Sequence, residues 1–209
     1  MEKHTLAMRD GDEVMYGESQ IGEHVIQQSD AAVWLEPAAA VNPAAVAAIR
    51  AADLIVVAPG NLYASILPIL SVDGVAAALR DTKALVVSVS NLVNKPAQTL
   101  NWHVADYVER LEASIGAPRI DVALYNDDHI SPQLLEKYAA DGEFPVRTDA
   151  TGFAGLHAKP IGVPLVSREI TRQDPADTAI QRTLIRHDAS AVCRELKHLL
   201  AQRLAVIED

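Results

Sequence analysis

DLIVVAPGNLYASILPILS (Asp53–Ser71) carries the reading that decides the fold. Leu54–Ala58 is a continuous apolar run of strand length, and Pro59-Gly60 turns the chain. Asn61–Ser65 forms a short polar loop, and an apolar helical stretch follows. A strand that ends in glycine and polar residues just before a helix is how α/β proteins build anion sites. Gly60 admits close approach of the backbone and tolerates positive φ. The next helix offers unpaired N–H groups and the positive end of its dipole. Asn61 and Ser65 add side-chain hydrogen bonds. A plain strand-to-helix turn has the same appearance, so the surrounding segments must arbitrate.

Two more apolar runs, Ala84–Val89 and Ile120–Tyr125, read as buried strands. Helical patterns separate them. Asn42-Pro43 opens a helix to about Ala52, with Asn as cap and Pro in the first turn. Ser71 is expected to cap a helix over Val72–Arg80. Trp102–Ile115 carries Val104, Val108, Leu111 and Ile115 on one face, and Gly116 stops it. Ser131-Pro132 opens a helix that ends near Gly142. Asp188 caps a terminal helix over Ala189–Val206.

Outside this core, Asp10-Gly11 predicts a hairpin within residues 4–18, and Val33–Glu36 a short strand. Phe144–Arg147 and Ile161–Ser167 are further short-strand candidates, the second within an irregular stretch, Thr148–Asp177. The alternation predicts one α/β domain over residues 1–209 with a mostly parallel sheet.

Composition sets limits. The chain has 209 residues, 49% of them apolar, so it can bury a core. A net charge of −10 argues against a broad nucleic-acid surface but leaves room for a small anionic ligand held by local amides. The single cysteine, Cys193, excludes a disulfide framework and reads as a packed small residue in a reducing compartment. No run approaches the ~18 apolar residues of a membrane span. The N-terminus has no apolar signal core, and a cytoplasmic location is expected.

In a parallel sheet all strand carboxyl ends lie on one edge, where ligands bind. The three tips here are Gly60-Asn61, Ser90-Asn91 and Asn126-Asp127-Asp128. All are small or polar and rich in amides. Asn91 either reads a base edge or sugar hydroxyl, or fixes a turn. Lys95 can reach a phosphate. Asp106 holds a divalent metal or sugar hydroxyl, or lies on a polar helix face; Asp127 and Asp128 hold magnesium or end the strand. The sequence contains no HExxH, no paired Cys/His spacing, no GxSxG, no Walker A and no GxGxxG. His187-Asp188 reads as the opening of a helix.

Several stretches resemble one family. AADLIVVAPGNLYASILPIL is similar to its "ADLIVLGPGSLYTSIIPNL" segment, and SNLVNKPAQT to "CNLMTQPGET". HVADYVERLEASIG, NDDHISPQLLEKYAADGEFPV, LIRHDASAVCRELKHLL and the opening LAMRDGDEVMYGESQI also have counterparts, in order, over nearly the whole chain. The chain is thereby identified as resembling the YvcK-like gluconeogenesis factor, or UDP-N-acetylglucosamine-binding, group, related to 2-phospho-L-lactate transferase (CofD-like).

The resemblance implies a Rossmann-like three-layer sandwich lacking the family's first βα unit and its glycine-rich loop. It implies a nucleotide-sugar ligand in one branch, with a regulatory role in carbon metabolism and cell shape. In the other branch it implies magnesium-dependent phospholactyl transfer. PGNLY favours the first, non-enzymatic branch. The binding residues expected are Pro59, Gly60, Asn61, Leu62, Tyr63 and Ser65, then Asn91, Lys95, Gln98 and Thr99, then Asp106 and Asn126. Asp106 or Asp127 would hold magnesium if the chain were an enzyme. A homodimer is expected to cover the open sheet edge. The third alternative is a structural remnant that needs a partner.

Overall fold

The structure is a computed structural model and describes residues 3–28, 30–168 and 185–208. Two sheets form. The smaller is antiparallel, with strand order β2-β1-β3: β1 is Thr5–Asp10, β2 is Glu13–Tyr16 and β3 is Ala32–Glu36. The expected hairpin is there, with Gly11 at φ 59° in its turn. A short helix, α1 (Glu18–Glu23), follows β2 and has no counterpart in the sequence reading.

The larger sheet is parallel throughout and runs in chain order. Its strands are β4 (Leu54–Val57), β5 (Leu85–Val89), β6 (Val122–Asn126) and β7 (Lys159–Val163). Strand alternation sends side chains to two cores. Val86 and Ala123 face the first core, which is filled by α3 (Leu67–Leu70), α4 (Val75–Asp81) and α6 (Val104–Ile115). Val87, Val89, Val122 and Leu124 face the second, against α7 (Pro132–Ala140) and α8 (Ala189–Glu208). Helices on both faces make the three-layer, Rossmann-like arrangement.

The α6 face is as its spacing predicts: Val104, Val108, Leu111 and Ile115 are all buried, each contributing about 1.5–3 kcal/mol of hydrophobic free energy. Gly116, at φ 79°, ends the helix. Asn42 caps α2 (Pro43–Ala51) through the Ala44 N–H, and Asp188 accepts from Ala191 N–H as expected.

Other expectations are corrected. Ser71 does not cap α4; it closes α3, its hydroxyl donating to Pro68 O, and Gly74 at φ 95° leads into α4. The stretch after Asn61 is not a loop but a π-helical turn, Leu62–Ile66, which directly continues into α3. α6 begins at Val104, because His103 caps it and Trp102 lies outside. The polar connection Asn94–Asn101 contains α5 (Pro96–Thr99). Phe144–Arg147 makes only isolated bridges, to Val93 and His103. The strand expected at Ile161–Ser167 lies at Lys159–Val163, and a 3-10 turn, Ala150–Phe153, precedes it. Residues 169–177 of the irregular stretch lie outside the described residues. Cys193 is exposed rather than packed, since it falls on the outer face of α8.

A buried carboxylate joins the small sheet to the chain that follows. Asp10 accepts from the Gln27 and Gln28 N–H groups at 2.6 and 2.8 Å and from His24 Nε2 at 2.8 Å. Burial alone would raise its pKa, but these bonds outweigh that and hold it below its ordinary value.

Candidate functional site

The parallel register brings the carboxyl ends of β4, β5 and β6 to one edge of the sheet. There the Asn91 side chain faces the Gly60 turn. Gly60 N–H donates to Asn91 Oδ1 at 3.1 Å, and Asn91 Nδ2 donates to Gly60 O, also at 3.1 Å. Gly60 is not among the positive-φ glycines. A Cβ there would sit a tight 3.1 Å from Ile66 Cδ1. Asn61 caps the π-turn by accepting from Ala64 N–H at 3.0 Å. Pro59 and Ser65 are exposed beside it. Leu62 and Tyr63 point into the core, and the Tyr63 hydroxyl is buried below Arg110, 5.6 Å from the ring.

Asn126 at the β6 tip has both ends of its amide engaged. Its Oδ1 accepts from Leu165 N–H at 2.9 Å and its Nδ2 donates to Asp128 O at 2.7 Å. The segment after Asn91 is equally committed. Lys95 Nζ donates to Gly22 O. Gln98 Nε2 donates to Ile21 O at 2.7 Å. Thr99 Oγ1 accepts from Lys95 N–H and from the Tyr107 hydroxyl, each at 2.9 Å. Burial pushes the Tyr107 pKa up to about 12. Asp106 Oδ2 accepts from His103 N–H at 2.6 Å in a capping box.

The expected residues therefore fall into separate groups. A polar cavity of about 320 Å³ lies between the β5 and β6 tips and takes in Ser90, Asn91, Tyr125, Asn126, Asp127 and Thr148. A second hollow of about 550 Å³ lies across the π-turn, between Asn61, Lys95 and α1. Gln98, Thr99 and Asp106 serve the packing of α5 and α6 and reach neither. Asp106 does not meet Asp127, and among the described residues no three His, Cys, Asp or Glu side chains come together as metal ligands. Asp106, spent on its helix cap, does not fit the magnesium role.

A third cavity, of about 620 Å³, adjoins the first and shares Asp128 with it. It is lined by Arg168, Arg186, Arg194 and His187 at the start of α8. His187 Nε2 donates to Ser90 O at 3.0 Å, so it ties the two cavities together. Burial holds the His187 pKa below its ordinary value, against the opposing pull of the Ser90 hydrogen bond. Asp128 faces this cavity too, 3.9 Å from Arg168. In a chain of net charge −10, this hollow sets the three arginines against two carboxylates, Asp128 and Asp188, a formal balance of 3 − 2 = +1. The sequence reading missed them because they are far apart in the chain. The local signal is LIRHD, which by itself reads as the opening of a helix.

The family described as "2-phospho-L-lactate transferase CofD" matches residues 2–166. A Bacillus subtilis protein named "Gluconeogenesis factor" is 32% identical over 196 residues, covering 93% of this chain and 57% of its own length. The protein of the same name from Halalkalibacterium halodurans is 30% identical over 145 residues, covering 69% of this chain and 41% of its own. A crystal structure of a Bacillus halodurans protein, described as a member of the UPF0052 family, superposes with a TM-score of 0.78 at 26% identity. The match covers 93% of this chain and 59% of that one. The chain spans about half the length of the curated relatives it matches.

Proposed function

The chain belongs to the 2-phospho-L-lactate transferase CofD family, and on that premise we propose that it binds a nucleotide sugar of the UDP-N-acetylglucosamine kind. Its role in this reading is regulatory, in carbon metabolism and envelope or shape control. One observation carries the reading: two adjoining cavities at the carboxyl edge differ in chemistry and share Asp128. The arginine-lined cavity suits a diphosphate, which arginine forks bind in bidentate fashion. The smaller cavity, walled by Ser90, Asn91, Asn126 and Thr148, suits the hydroxyls and amides of a sugar or base.

The Gly60–Ser65 turn then acts as the support that holds Asn91 in place. The names of the two relatives agree with a link to carbon metabolism. A magnesium-dependent transferase acting on a phosphorylated small molecule is the competing reading, and the family's description favours it. Competition binding tests the choice of ligand. UDP should displace UDP-N-acetylglucosamine, free N-acetylglucosamine should not, and Arg194→Ala should weaken both nucleotides about tenfold, or ~1.4 kcal/mol. Equal binding by the parent and Arg194→Ala would remove the arginine cavity from the account.

A further inference from the structure

Most polar side chains in the cavity between the β5 and β6 tips are already held by the protein. The amides of Asn91 and Asn126 are each engaged at both ends. The Ser90 hydroxyl donates to Asn91 O at 3.1 Å, and Asp128 Oδ1 accepts from His129 N–H at 2.8 Å. Among the described residues, the Tyr125 hydroxyl, the Asp127 carboxylate and the Thr148 hydroxyl have no hydrogen-bond or ion-pair partner.

Tyr125 and Asp127 lie two positions apart at the end of β6, so they project from one face of the sheet. Tyr125 stands opposite Gly162 of β7 in the register, and that glycine gives the ring its place. A Cβ at residue 162 would lie 2.9 Å from Tyr125 Cζ and Oη and 3.0 Å from Asp127 Cβ. Phe153 packs on the Tyr125 ring with centroids 5.0 Å apart, and the His103 ring backs Phe153 at 4.4 Å. Packing therefore sets the phenol, with its hydroxyl beside the Asp127 side chain.

The chemistry of this pair is selective. An ionised carboxylate only accepts hydrogen bonds, and its two oxygens match two neighbouring hydroxyls; a phenol both donates and accepts. A uracil edge offers one N–H flanked by two carbonyls, a poorer match. The cavity wall carries Asp127 and Asp128 and neither lysine nor arginine, so it disfavours a phosphate. A metal ion is the other use of a carboxylate, but among the described residues no three His, Cys, Asp or Glu side chains come together.

We propose that Tyr125 and Asp127 are the specificity-determining pair of this cavity and read the vicinal hydroxyls of a neutral sugar ring. The proposal rests on the nucleotide-sugar reading and deepens it: a sugar ring, and neither base nor phosphate, fills the Asp127 cavity. Two rings of such a ligand carry vicinal hydroxyls, the ribose and the pyranose.

Calorimetric titration of the 209-residue chain with UDP-N-acetylglucosamine, UDP and 2′-deoxy-UDP tests it. Asp127→Asn and Tyr125→Phe should keep the melting temperature of the parent and each weaken UDP-N-acetylglucosamine about tenfold. If UDP loses as much and 2′-deoxy-UDP loses nothing, the ribose is the ring read. If UDP binds unchanged, it is the pyranose. Equal affinity of parent and variants for UDP-N-acetylglucosamine overturns the pair and leaves the nucleotide-sugar reading standing. A loss shared alike by UDP and 2′-deoxy-UDP also overturns it, because the pair would then act on a different group. Should no nucleotide bind the parent, that reading fails, and saturation-transfer NMR with free ribose and N-acetylglucosamine decides the pair. Transfer that vanishes in Asp127→Asn upholds it, and no transfer to either sugar overturns it.

Discussion

Asn91 and Gly60, 31 positions apart, exchange two hydrogen bonds of 3.1 Å across the carboxyl ends of β4 and β5. An amide both donates and accepts, so asparagine can satisfy one residue's N–H and C=O together. Asn91→Ala leaves both Gly60 groups without that partner. The expected cost is about 1–2 kcal/mol of unfolding free energy. Urea denaturation of the variant measures it, and an unchanged midpoint would show that the turn holds without Asn91.

Gly60→Val tests the turn from the other side. The new Cβ would stand 3.1 Å from Ile66 Cδ1, and its methyl groups would press further. Ile66 must give way by a few tenths of an ångström. The protein should remain folded at a cost of about 1–3 kcal/mol, while affinity for a nucleotide sugar falls. A variant that binds as well as the parent would separate the turn from the ligand site.

Tyr107 anchors the segment between β5 and α6 from inside the core, donating at 2.9 Å to Asn94 Oδ1 or Thr99 Oγ1. Tyr107→Phe removes the one hydroxyl donor that Asn94 Oδ1 and Thr99 Oγ1 share and should cost about 1–3 kcal/mol. Thermal unfolding reads the loss. In the parent, spectrophotometric titration should find one tyrosine ionising near its raised value of about 12.

Asp10 makes stability depend on acid. Its folded pKa lies below the ordinary 3.8, so the ionised form stabilises the fold fully above that value. The contribution is lost as pH falls through the lower folded pKa. Stability curves of the parent and Asp10→Asn should therefore converge in strong acid, separate as pH rises to about 4, and run parallel above it. Curves that stay parallel below pH 4 as well would show that Asp10 has no depressed pKa.

The parallel sheet was legible because its strands are unbroken apolar runs separated by helical periods. The second, antiparallel sheet was half visible: the Asp10-Gly11 turn marks the hairpin, but β3 pairs with β1 across 20 or more intervening residues. The polar strand tips were legible as positions and not as roles. Asn126 finds Leu165 at a separation of 39 residues, and nothing local distinguishes such an amide from one facing a ligand. Leu62 and Tyr63 look like loop residues until the π-turn rotates them into the core. Arg168, Arg186 and Arg194 meet only because the chain after β7 lies beside the start of α8.

Calorimetric titration of the chain with UDP-N-acetylglucosamine, with and without magnesium, tests the central claim most directly. The account predicts saturable heat at one site per chain, present without the metal and unaccompanied by product. No saturable heat, or a magnesium-dependent conversion of the ligand, would contradict it.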